Sequence, residues 1–127
     1  MSPYPLLSVA VGAVLGAWLR WWLGNQLNEG SPNLPLGTLI ANLVGGYVIG
    51  LAIEYFSEHA TVPAEARLFI ITGFCGALTT FSTFSAEVVT LLSEQRYGWG
   101  LAHIASHLFG SVVMTVLGIL TVKGLQA

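Results

Sequence analysis

Four predominantly apolar runs, at residues 5–27, 36–56, 66–92 and 99–122, take up almost the whole chain and leave only short polar connections. Crossing the hydrocarbon core of a bilayer takes about 20 apolar residues of helix, and each run is long enough. The connections carry turn chemistry: NEGSPNLP at 28–35, SEHATVPAE at 57–65 and SEQRYG at 93–98. Only 8% of the 127 residues are charged, against roughly a quarter in a soluble domain. So few charges cannot cover a water-facing surface, so the solvent for most of this chain is lipid. The expected fold class is an all-α membrane protein, a single four-helix transmembrane domain over residues 1–127, with both termini on one side. The first run lacks a basic leader and a clear cleavage site, so it is expected to stay as a span. Four basic residues and a net charge of −2 leave no footprint for nucleic acid.

The third run is interrupted by GFCGALTTFSTFS at 73–85. Five hydroxyl side chains (Thr79, Thr80, Ser82, Thr83, Ser85) and two rings (Phe81, Phe84) crowd into seven residues. Polar groups at membrane depth are tolerated where they face protein or a water-filled path, which marks this segment as the working part. On an unbroken helix Thr79, Ser82 and Thr83 form one stripe and Phe81 and Phe84 another, about opposite. A dehydrated anion wants both: hydroxyl donors in place of water, and ring edges with their positive quadrupole. The alternative is a packing helix whose hydroxyls bond back to its own carbonyls. Gly73, Gly76 and the consecutive threonines also favour a break in mid-span, and an unwound backbone frees carbonyl oxygens for a hard cation.

Other polar groups at membrane depth need partners. Asn42 can serve as a bond between helices or donate its NH2 to a passing anion; Thr38 lies one turn earlier on the same face. Arg20 can snorkel among Trp18, Trp21 and Trp22, or form a positive vestibule. Glu87 can pair with Arg20 or shape access. His103, His107 and Ser111 share a face of the fourth run. With no carboxylate or third ligand near them in sequence, a polar stripe is expected there rather than a metal site. The pairs Gly12/Gly16 and Gly46/Gly50 have the GxxxG spacing of close helix contacts, and the lone Cys75 reads as a small packing residue. Arg67 and Lys123 fall on the side of the termini, Arg20 and Arg96 on the other. That even tally gives no orientation bias, so both orientations, and an antiparallel homodimer of the two, are expected.

GAWLRW (16–21), GTLIANLVGGYVIG (37–50) and TGFCGALTTFSTFS (72–85) resemble the signature segments of the Fluc (CrcB) fluoride-channel family, with Ala77 where a glycine is expected. The resemblance spans all four runs. It implies a dual-topology antiparallel homodimer with a broken third helix, in the cell (inner) membrane. Through two pores it would export fluoride passively from the cytoplasm, lowering fluoride toxicity. It implies a fluoride pathway of Phe81, Phe84, Asn42, Ser82 and Thr83, with Ser111, His107 and Arg20; Thr38, on the face of Asn42, is expected to belong to the same pathway. It also implies a structural Na+ at the dimer axis, held by the backbone carbonyls of Gly76 and Thr79. A small multidrug-type antiporter, the nearest rival, needs an acid in its first span, and here that span has neither Asp nor Glu. A purely structural subunit gives no reason for the hydroxyl and ring stripes. An enzyme is not expected, because no nucleophile–base pair or metal cluster stands out.

Overall fold

The computed structural model describes residues 2–127. Helix α1 (Tyr4–Leu27) carries a proline in its first turn, and α2 (Leu36–Glu58) begins directly after Pro35. Proline suits these places because its missing N–H lies among those that a helix start leaves unpaired anyway. The third span runs from Ala64 to Ser93 in two pieces. Its first piece, α3 (residues 64–78), starts after Pro63, widens into π-helical turns over Leu68–Cys75 and closes with a short α-turn at Gly76–Leu78. Thr79 and Thr80 are extended, and α4 (Phe81–Ser93) follows. The last helix, α5, covers Tyr97–Gln126. Among the described residues, four helical segments are thus long and apolar enough to cross a membrane.

The break in the third span agrees with the expectation from Gly76 and the paired threonines. It also corrects the single stripe of Thr79, Ser82 and Thr83. Thr79 lies in extended backbone with ψ 152°, so it is out of helical register with the other two. The fourth span is longer than the sequence suggests, because Ser93, Tyr97 and Gly98 of SEQRYG are helical and the turn shrinks to Glu94–Arg96. Gln95 there takes a left-handed conformation, φ 59°. Its N–H donates to the Leu92 carbonyl at 3.0 Å, and that of Arg96 to Leu91 at 2.9 Å. This is a Schellman closure, which pairs carbonyls that a helix end would leave bare.

Helix α1 packs along α3, and α2 along α5. A Cβ on Gly12 would run into the Phe69 carbonyl, and one on Gly16 into that of Phe74. Gly50 and Gly118 meet across the α2–α5 contact in the same way. Without water to drive apolar helices together, close backbone approach is what holds them. Thr115 Oγ1 adds a bond to the Gly46 carbonyl at 3.0 Å, and Tyr47 and Thr121 join hydroxyls at 2.9 Å. The buried apolar core is small, centred on Leu23, Ala41 and Leu78. Large apolar side chains of α1 and α5 point outward, among them Trp18, Trp21, Leu101 and Phe109, as expected where lipid is the solvent.

Gln95 occupies a conformation that costs a side-chain-bearing residue about 1–2 kcal/mol. Gln95→Gly is therefore expected to raise stability by about 0.5–1 kcal/mol. Thermal unfolding in detergent reads this directly, and an unchanged or lower midpoint contradicts it.

Candidate functional site

The break is held open by named bonds. Inside an unbroken helix the Thr80 N–H would donate to the Gly76 carbonyl; here it donates to Asn42 Oδ1 at 2.7 Å, and Asn42 Nδ2 donates back to the Thr80 carbonyl at 3.2 Å. The side-chain amide of α2 thus replaces a missing turn of backbone. The next helix is capped from within, because Thr80 Oγ1 accepts the Thr83 N–H at 3.1 Å. Ser82 Oγ lies 3.3 Å from that same hydroxyl. From the other flank, Arg20 Nε donates to the Ala77 carbonyl at 2.9 Å. Arg20 is thereby tied to the end of α3 through its Nε.

A polar chain runs away from the break. Asn28 Nδ2 donates to Thr38 Oγ1 at 3.3 Å, and Thr38 Oγ1 donates to Glu87 Oε2 at 2.6 Å. The other carboxylate oxygen, Oε1, lies 2.9 Å from His103 Nε2. Glu87 therefore pairs with Thr38 and His103, which overturns the pairing with Arg20. It also corrects the reading that no carboxylate accompanies the histidines, since α4 brings one that sequence spacing does not reveal. A ligand atom of Glu87, one of His103 and one of His107 all lie within 4.8 Å of one another. His103 is fully buried and His107 nearly so.

His107 Nδ1 stands 2.9 Å from Asn42 Nδ2. The Phe84 ring lies 4.6 Å from the His107 ring and 5.5 Å from those of His103 and Phe81, the last edge-to-face. Asn42, Thr79, Phe81, Phe84, His107 and Ser111 border an open-sided, mainly apolar cavity of about 720 Å³ beside the break. Phe81 is 79% exposed on that side. Phe81, Phe84, Asn42, His107 and Ser111 thus share one wall, with Ser82 and Thr83 on the first turn of α4. Thr38 and Arg20 do not line this cavity; Thr38 sits within the Glu87 network and Arg20 behind the end of α3. Glu87 and His103 are the members that sequence alone leaves without a role. The signal that would have found them is an acid two turns past the hydroxyls, facing two histidines one turn apart.

Two carbonyls of the break have lost their ordinary helical partners. That of Gly76 has lost the Thr80 N–H to Asn42, and that of Thr79 has lost the Thr83 N–H to the Thr80 hydroxyl. Neutral carbonyl oxygens with no carboxylate among them suit a monovalent hard cation better than magnesium, which usually takes carboxylates and keeps its waters.

Residues 7–119 match the family described as CrcB-like protein, Camphor Resistance (CrcB). The chain is 63% identical over 125 residues to the fluoride-specific ion channel FluC of Nitrosospira multiformis, an alignment covering 98% of each chain. It is 60% identical over 118 residues to the protein of that name from Pseudomonas paraeruginosa, covering 93% of each. With the one from Acinetobacter baylyi it shares 57% identity over 121 residues, 95% of each.

Arg20→Leu leaves the Ala77 carbonyl without its charged partner and is expected to destabilise the fold by about 1–3 kcal/mol. Arg20→Lys, which can still reach a carbonyl, should lose less. Equal unfolding midpoints for wild type and Arg20→Leu would show that the bond contributes nothing.

Proposed function

This chain belongs to the CrcB family, and from that premise we propose that it is a fluoride channel, not an enzyme, carrying the ion passively out of the cytoplasm across the inner membrane. The observation that supports this most is the wall beside the break. There two phenylalanine rings meet edge to face, beside an asparagine, a histidine and a serine, at membrane depth. A small anion stripped of water is stabilised by O–H and N–H donors and by the positive edges of aromatic rings. In this reading Phe81, Phe84, Asn42, Ser82, Thr83, Ser111 and His107 form the pathway. Thr38 belongs to the polar chain that continues from it. Arg20 contributes positive potential near its mouth.

One copy supplies one side of such a path. We propose that a second, inverted copy covers the open cavity and the exposed Phe81, forming an antiparallel homodimer with two equivalent pores. The even balance of basic residues supports insertion in both senses. The carbonyls of Gly76 and Thr79, brought together from both copies, would hold one structural Na+. When bound, that ion supplies fixed positive charge joining the two breaks. The diverted hydrogen bonds of Thr80 and Thr83 are what leave those oxygens available.

Purified protein in vesicles loaded with potassium fluoride should release fluoride when a potassium ionophore carries the compensating current, and release chloride far more slowly. Efflux no greater than from empty vesicles refutes a channel. Phe81→Ile and Phe84→Ile keep the apolar bulk but lose the ring edge, so each should lower flux by about 10-fold or more while the protein remains folded. Unchanged flux in both would make the rings packing residues.

The topology is tested separately. Cysteines added at both termini and treated with an impermeant reagent on intact cells should label in only part of the population. Labelling of all copies, or of none, would mean a single orientation and would remove the inverted pair.

A further inference from the structure

Asparagine has one acceptor oxygen and two N–H donors, and in this structure all are engaged. Asn42 Oδ1 takes the Thr80 N–H at 2.7 Å, and Nδ2 faces both the Thr80 carbonyl at 3.2 Å and His107 Nδ1 at 2.9 Å. A backbone N–H only donates and a carbonyl only accepts, so Thr80 fixes which way the amide points. Turned over, it would set oxygen against oxygen and N–H against N–H. The second amide hydrogen therefore meets His107 Nδ1, which must offer its lone pair. The ring proton is then on Nε2. That atom is buried with no hydrogen-bond partner among the described residues.

We infer that Asn42 also acts as a positioning residue: it holds His107 in the Nε2–H tautomer, and His107 Nε2–H is a donor that fluoride meets. The inference rests on the fluoride-channel reading above. A buried N–H without an acceptor is costly to keep, and a bare fluoride arriving there relieves that cost. The Phe84 ring lies 4.6 Å from the His107 ring, tilted against it. A ring edge and the N–H there could face the same ion. The nearby cluster with Glu87 and His103 has the composition of a metal site, but a metal needs a lone pair that His107 does not have free. Its Nδ1 is engaged and its Nε2 bears the proton. Glu87, which accepts from Thr38 and stands 2.9 Å from His103 Nε2, places a carboxyl group close by. Its oxygens, when ionised, would keep the anion's stay short, as conduction requires.

Two measurements test this. Nitrogen NMR of histidine-labelled wild-type protein in lipid should show His107 protonated at Nε2 and bare at Nδ1. Sodium fluoride, but not sodium chloride, should shift the Nε2–H signal. Asn42→Asp, whose carboxylate draws a proton, should move it to Nδ1. In vesicles, His107→Gln places an amide nitrogen near Nε2, whereas His107→Asn places it near Nδ1. The Gln variant should conduct within about 3-fold of wild type, while the Asn and Leu variants fall by about 10- to 100-fold. A wild-type ring protonated at Nδ1, a fluoride-insensitive Nε2–H, or equal flux in the Gln and Leu variants would overturn the inference. The tautomer is read without conduction, so its failure is distinct from failure of the channel reading, which a wild type that passes no fluoride would signal.

Discussion

The two-way bond between the Asn42 side chain and the Thr80 backbone is the interaction on which the rest of this structure depends. A helix interrupted inside lipid leaves peptide groups with neither water nor a turn to satisfy them, at several kcal/mol per group. One amide, matched to one peptide N–H and C=O, meets that need at the point where α3 ends. Three consequences follow. The Gly76 carbonyl is released from its helical partner, α4 can restart with its own threonine cap, and the rings of Phe81 and Phe84 leave the break on a new helical register. Arg20 completes the arrangement by occupying the Ala77 carbonyl.

Much of this was legible in the sequence, because each signal was local. Span length follows from runs of apolar residues, and the close contacts follow from glycines at four-residue spacing. The break follows from Gly76 and two adjacent threonines that cap better than they propagate a helix. What the sequence hid were pairings set by how helices rotate against one another. The spacing of Glu87 from His103, sixteen positions along the chain, gives no hint that α4 and α5 fold back to bring them together. The helical wheel placed Thr79 with Ser82 and Thr83 only by assuming the continuity that the break removes. Arg20 admitted two readings because its partner is a carbonyl, and every residue has one. Asn42 admitted two for a deeper reason: whether an amide's donors are free depends on all of its neighbours at once.

The polar network has a direction. From Thr80 it passes through Asn42 to His107, and from Asn28 through Thr38 and Glu87 to His103. The two arms meet where the imidazole rings stand 4.3 Å apart. In the first arm every donor and acceptor is assigned by a backbone group whose role cannot change, so the protons along it are fixed. In the second arm the Glu87 carboxyl group accepts from Thr38 and lies 2.9 Å from His103 Nε2, which sets its two oxygens between those partners. A proposed anion path between them thus has a rigid donor on one side and a repelling group on the other.

That opposition bears on why such a path can be selective without being a trap. A site made only of donors would hold a small anion tightly and pass it slowly. The Glu87 carboxylate, itself kept in place by Thr38 and His103, raises the energy of an anion resting beside His107 without taking up its donor. Chloride is larger and accepts hydrogen bonds less strongly, so in the proposed path it would recover less from a fixed N–H donor than fluoride does. Any such discrimination would rest on the rigidity of the donor arm, and that rigidity begins with the Thr80 peptide held by Asn42.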